Sequence, residues 1–98
     1  MSEEREIPFT QYLLPNGERR STGIKRPREV ADKATAINAA GYVFEVEMLT
    51  DMQTVSLTIH DPRTEKDVAI ELCANGPTVP DAVDKLITDF VIPQEPQP

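Results

Sequence analysis

Tyr42-Val43-Phe44-Glu45-Val46-Glu47-Met48, Thr54-Val55-Ser56-Leu57-Thr58-Ile59-His60 and Val68-Ala69-Ile70-Glu71-Leu72-Cys73 are three stretches in which apolar and polar side chains alternate. A period of two belongs to a strand with one face covered and the other in water. Tyr42, Phe44, Val46 and Met48 take the covered side of the first stretch, with Glu45 and Glu47 opposite. Val55, Leu57 and Ile59 take it in the second, against Ser56, Thr58 and His60. In the third, the same rule places Val68, Ile70 and Leu72 inward and Glu71 and Cys73 outward. Three successive strands of this kind make a meander.

Working outward, a helix is predicted on either side. Pro27 suits a first helical turn and Gly41 a C-terminal stop, so Arg28 to Ala40 reads as a helix with Val30, Ala34 and Ile37 as its buried stripe. After Asn75-Gly76-Pro77 breaks the sheet, Thr78 or Asp81 is a candidate cap. Pro80 fits the first turn of the helix that follows, and Val83, Leu86, Ile87 and Phe90 recur at helical spacing. Nearer the N-terminus, Phe9 to Leu14 is followed by Pro15-Asn16-Gly17. With Asn16-Gly17 as a two-residue turn, Leu13 faces Arg20, Tyr12 faces Ser21 and Phe9 faces Ile24, and the return strand is Glu18 to Lys25. The order ββαβββα predicts an α+β two-layer sandwich, an antiparallel sheet of up to five strands with two helices on one face. Residues 1–7 read as a flexible N-terminus, 8–92 as a single domain and 93–98 as a disordered proline-rich tail. The expected core is Phe9, Val30, Ala34, Ile37, Phe44, Val46, Met48, Val55, Leu57, Ile59, Val68, Ile70, Leu72, Val83, Leu86, Ile87 and Phe90.

The chain has 98 residues, 39% of them hydrophobic and 28% charged, enough for one small core. Ten Lys and Arg against seventeen Asp and Glu leave a formal charge of -7, which argues against a general phosphate binder or a polybasic membrane anchor. Cys73 is the sole cysteine, so no internal disulfide forms, and a lone thiol fits a reducing, cytoplasmic address. The acidic start, MSEEREI, lacks the basic-then-apolar order of a signal peptide, and no apolar run is long enough for a membrane helix.

Residues 27–92 read helix, three strands, helix, an order similar to that of the double-stranded-RNA-binding domain family. That resemblance implies lysines at the start of the last helix, holding phosphates across the RNA groove. The matching stretch here, Gly76-Pro77-Thr78-Val79-Pro80-Asp81-Ala82-Val83-Asp84-Lys85, carries two aspartates and one lysine, so the family's chemistry does not carry over. Phe9-Thr10-Gln11-Tyr12-Leu13, Phe44-Glu45-Val46-Glu47-Met48-Leu49 and Asn75-Gly76-Pro77 through Leu86 also resemble short uncharacterised proteins of bacteria and their phages, a likeness that implies no particular activity.

Chemistry-bearing residues are sparse. A thiol nucleophile needs a base in reach, and Cys73 with His60 is the one usual pairing. The expected register sets Cys73 opposite Thr54 or Ser56, several residues along the sheet from His60, and breaks the dyad. Asp61, Glu65 and Asp67 lack the spacing of a calcium loop and have Arg63 and Lys66 among them. Glu45, Glu47 and Glu71 are expected on one outer face, as a solvated set rather than paired catalytic carboxylates. The glycines stand alone and make no phosphate loop. No catalytic residue, metal or cofactor is predicted.

Two features rise above this background. Residues 18–33 hold six basic residues, Arg19, Arg20, Lys25, Arg26, Arg28 and Lys33, against Glu18, Glu29 and Asp32, a balance of +3. Residues 34–98 hold three basic and eleven acidic ones, a balance of -8. The first hairpin is also apolar on both faces, which leaves Tyr12 and Leu14 on the open side beside Arg19 and Ser21. Tyrosine with arginine is a common anchor of protein interfaces. The expectation is a small acidic, non-enzymatic interaction module that binds itself or another protein through the open sheet face and this hairpin. The alternative is a nucleic-acid accessory protein. There, Arg19, Arg20, Lys25, Arg26 and Arg28 contact phosphate, or the acidic surface imitates DNA.

Overall fold

The computed structural model describes residues 3–20 and 24–93, with the backbone alone at residues 9–11. Among them the chain runs β1 (Glu4–Glu6), β2 (Phe9–Leu13), β3 (Arg19–Arg20), β4 (Lys25–Pro27), α1 (Arg28–Ala39), β5 (Val43–Met48), β6 (Thr54–Asp61), β7 (Lys66–Ala74) and α2 (Val79–Asp89). Five strands form one sheet in the order β3-β2-β5-β6-β7, while β1 and β4 pair separately as a two-stranded ribbon. The fold is α+β, with both helices packed on one face of the large sheet.

Alternation along β5 and β6 has the consequence the sequence leads one to expect. Phe44, Val46, Val55, Leu57 and Ile59 are buried and meet Ala34 and Ile37 of α1 and Val83, Leu86 and Ile87 of α2 in one core. Val30 is half-buried, and Ala31, Tyr42 and Ala82 join the core. Gly41 ends α1 with φ +103, a backbone angle that L side chains resist. The Lys33 ammonium donates to the Thr88 carbonyl at 2.8 Å, tying α1 to the last turn of α2. Neither expected cap holds at α2. The Thr78 hydroxyl donates backward to the Ala74 carbonyl at 2.6 Å, and the helix has no side-chain cap.

The N-terminal third departs further from expectation. Leu14 N–H donates to the Glu18 carbonyl and Gly17 N–H to the Leu14 carbonyl, both at 2.9 Å, so the turn is Pro15-Asn16-Gly17. Its third residue, Gly17 at φ +87, occupies the left-handed position of a three-residue hairpin loop. This extra residue shifts the register: Tyr12 faces Arg20 and Leu13 faces Arg19. The expected partners Ser21 for Tyr12 and Ile24 for Phe9 do not stand, since Arg20 faces Tyr12, Ser21 itself lying outside the described residues, and Ile24 bonds elsewhere. Its carbonyl accepts the Ile7 N–H at 2.9 Å, and β4 then pairs with β1. The segment expected to be loose thus contains a strand, and Ile7, 2% exposed, is among the largest fully buried side chains. Nor is the sheet wholly antiparallel, because β2 runs parallel to β5. The stretch between them contains α1 and is long enough for the crossover that a parallel pair requires.

Candidate functional site

The β6–β7 hairpin leaves its turn in the register that alternation calls for. Asp61 faces Lys66 and His60 faces Asp67. Continued unbroken, that ladder would set Ile59 against Val68, Leu57 against Ile70 and Val55 against Leu72, with all six on the covered face. Instead the next pair is Ile59 with Ala69, followed by Leu57 with Glu71 and Val55 with Cys73. Val68 is an extra residue in β7, a β-bulge, and because side chains alternate every residue, one insertion turns the rest of the strand over. Val68, Ile70 and Leu72 are therefore 43%, 56% and 58% exposed rather than buried. The small side chains Ala69 and Cys73 take the face beneath α2, with Glu71 between them. The Lys85 ammonium of α2 donates to Glu71 at 3.4 Å.

Position in the sheet gives this row its interest. On the open face, β5 contributes Glu45 and Glu47, β6 contributes Ser56, Thr58 and His60, and β7 contributes the aliphatic row, with Thr58 itself buried between Glu45 and Ile70. The bulge is pinned at its turn end. His60 Nδ1 lies 2.9 Å from the Asp67 carboxylate and Nε2 lies 3.8 Å from Glu65. The hydrogen bond to Asp67, aided by the charges of Glu45, Asp67 and Glu65, raises the imidazole above its ordinary value of 6.5. One residue on, Asp61 accepts Arg63 N–H and Nε–H, each at 3.0 Å, which holds its carboxyl below the usual range. The Arg63 guanidinium also sits 5.2 Å above the Tyr42 ring, which meets Phe90 edge-on at 5.4 Å.

Among the described residues β7 is the last strand of the sheet. Asn75 N–H donates to the Gln53 carbonyl at 2.7 Å, in line with the bonded pairs Val55–Cys73, Leu57–Glu71 and Ile59–Ala69. Antiparallel ladders bond on alternate residues, so Ile70 and Leu72 turn their N–H and C=O groups away from β6, toward the open edge. A groove of about 620 Å³ runs beside that edge between β7 and the C-terminal half of α2. Tyr42, Leu86 and Phe90 form apolar parts of its lining, and Lys85 and Asp89 are among its charged residues.

The residues singled out in the sequence are dispersed. Tyr12 does not project from the open face. It packs against the core, its hydroxyl raised chiefly by burial and secondarily by Cys73, while Leu13 takes the open side opposite Glu47. Leu14 is half-buried at the turn, and Arg19 pairs with Leu13 across the hairpin. Part of the basic set is engaged within the chain. Arg26 makes a two-pronged contact with Asp84 at 2.7 and 2.6 Å, Arg20 lies 3.3 Å from Glu18, and Arg28 lies 3.5 Å from Asp32. Lys25 is exposed.

Glu71 lies on the opposite side of the sheet from Glu45 and Glu47, which breaks the expected acidic set. Cys73 faces Val55, not Thr54 or Ser56, and it shares no face with His60. Burial, then Glu71, raises its thiol. Among the described residues no cluster of three His, Cys, Asp or Glu side chains is placed to hold a metal, and no helix is long and apolar enough to cross a membrane. The chain matches no family model, curated protein or solved structure. The edge row was missed because alternation carries no mark of a bulge. The one available signal was Glu71, a carboxylate with a lysine, Lys85, one helix away.

Proposed function

We propose that this chain is a protein-interaction module whose contact surface is the β7 side of the sheet rather than the first hairpin. One observation carries the reading: the bulge at Val68 turns three aliphatic side chains to solvent on an edge strand whose outward backbone groups have no strand partner among the described residues. Burying an aliphatic side chain yields about 1.5–3 kcal/mol, and the continuous register would have delivered that for all three. Exposed apolar edge strands are templates for pairing, and soluble proteins ordinarily blunt them with lysine, proline, inward charges or bulges. Beyond its bulge, between Ala69 and Ala74, this strand has no lysine or proline, and its inward charge, Glu71, is paired with Lys85. Addition of a strand supplies main-chain hydrogen bonds for affinity and side-chain pockets for selectivity. The ion pairs of Arg20, Arg26 and Arg28 speak against phosphate as the ligand.

The test is a selection of random short peptides displayed on phage against the intact chain, with binders mapped by amide shifts in NMR. The expected footprint centres on Val68 to Leu72 and disappears in Ile70→Lys, a substitution at an exposed site that leaves the thermal transition in place. If neither a peptide nor a second copy perturbs those amides, the reading is wrong.

A further inference from the structure

Resting on that interaction reading, we infer that the occupant of the β7 edge is a second copy of this chain, added antiparallel about a two-fold axis through Ile70. Self-pairing of one strand sets each residue against another at a fixed offset, and the side chains choose among the offsets. With Ile70 opposite its own copy, Leu72 faces Val68 of the second copy and Val68 faces its Leu72, so the whole exposed row meets itself. Ile70 and Leu72 carry outward backbone groups, as the bonded positions of the new ladder require, and the regular ladder ends at Val68, where the bulge breaks the alternation. Centring the axis on Glu71 instead would bring two carboxylates together, an arrangement that opposes pairing. At the Ile70 axis each Glu71 faces Ala69 of the second copy.

The helices agree with the same axis. Lys85 and Asp89 stand one turn apart on α2 and both line the groove, as Ile70 does, with Lys85 against the neighbouring Glu71. A two-fold axis runs the second α2 antiparallel to the first, so each Lys85 approaches Asp89 of the other copy. Strands are about 4.8 Å apart and packed helices about 8–10 Å, and the groove beside β7 is the room the second helix flank needs. The apolar lining from Leu86 and Phe90 is covered in the same step. The pairing of opposite charges and of aliphatics thus follows from a single offset, and the product is one continuous ten-stranded sheet.

Light scattering on the intact chain, from low to high micromolar concentration, reads the mass. The expected result is a dimer for the parent and a folded monomer for Ile70→Lys, with association weakened by about tenfold or more, since two ammonium groups meet on the axis. Cysteine substitution reads the register. In a Cys73→Ala background, Ile70→Cys places two sulfur-bearing residues with α-carbons about 5.5 Å apart, inside the roughly 4.4–6.8 Å that a disulfide spans. Leu72→Cys leaves them about 14 Å apart, four residues along the strand and one strand spacing across. Oxidised glutathione should cross-link the first variant and not the second. A monomeric parent overturns the inference while leaving the peptide selection to judge the interaction reading. So does a dimer indifferent to Ile70→Lys, or a monomer that dimerises only after residues 94–98 are deleted, which would assign the groove to the chain's own end.

Discussion

Strands β6 and β7 are neighbours with the same alternating pattern, yet Leu57 is fully buried while Leu72 is more than half exposed. In β6 the pattern and the register agree for Val55, Leu57 and Ile59, all of which face the core. In β7 they agree for two residues after the turn, and then Val68 is accommodated as a bulge and the remaining strand turns over. The difference teaches that alternation determines which residues share a face, whereas which face that is depends on a count of residues through the turn and ladder. One residue suffices to exchange a core for a docking surface.

The comparison is broken most forcefully by placing a charge on each strand. Leu57→Asp buries an unpaired carboxylate and should abolish the cooperative thermal transition, whereas Ile70→Asp, on an exposed site, should shift stability by no more than about 0.5 kcal/mol in the monomer. Equal losses in a denaturation experiment would restore the unbulged register.

Deleting Val68 sharpens the same point. The shortened strand keeps His60 opposite Asp67, Ile59 opposite Ala69 and Leu57 opposite Glu71 with no insertion, so the fold should survive with a change of at most about 2 kcal/mol. If Ile70 and Leu72 were core residues, the deletion would drive them outward and unfold the chain. Urea melts of the two proteins decide it.

A weaker effect tests the pin beside the bulge. His60 titrates higher in the folded chain than its ordinary value of 6.5 because it is bonded to Asp67. A raised folded value means that the folded state binds the proton more tightly. The stabilisation is therefore complete below about 6.5 and is lost as pH rises through the folded value. Asp67→Asn should flatten that decline, visible as a smaller drop in melting temperature between acidic and mildly alkaline buffer.

The smallest effect belongs to the two turns that flank β6. Met52 and Glu65 hold φ at 60 and 59, left-handed values that cost a residue bearing a β-carbon about 1–2 kcal/mol. Glycine at either position should recover less than about 1 kcal/mol, because its unfolded chain has more freedom to lose. Destabilisation on calorimetry would show that these side chains contribute more than their backbone strain costs.

Much of the fold was legible in the residues themselves. The helix around Ala34 and Ile37, the strand of Phe44 and Val46, and the helix of Val83, Leu86 and Ile87 each announce their buried face through local spacing, since a periodic apolar stripe must be covered. The first hairpin was less legible, because Pro15-Asn16-Gly17 accommodates a loop of two or three residues, and because β2 takes an extra residue between Phe9 and Tyr12 in its pairing with β5, which puts Tyr12 on the covered face and Leu13 on the open one. The ribbon of β1 and β4 left no mark either, as Glu4-Arg5-Glu6 looks like solvated chain until Ile7 anchors it.

By itself, then, the sequence determined the number and kind of the main elements, their α+β class and the residues that move together on each face. Only the tertiary structure decided that β2 lies parallel to β5, that Arg26 is held by Asp84, and that Val68, Ile70 and Leu72 face water. The physical reason is range. Periodicity is a property of neighbours along the chain, while register, strand order and ion pairing are settled by residues far apart in sequence, where small Ala69 and Cys73 fit beneath α2 and Glu71 meets Lys85.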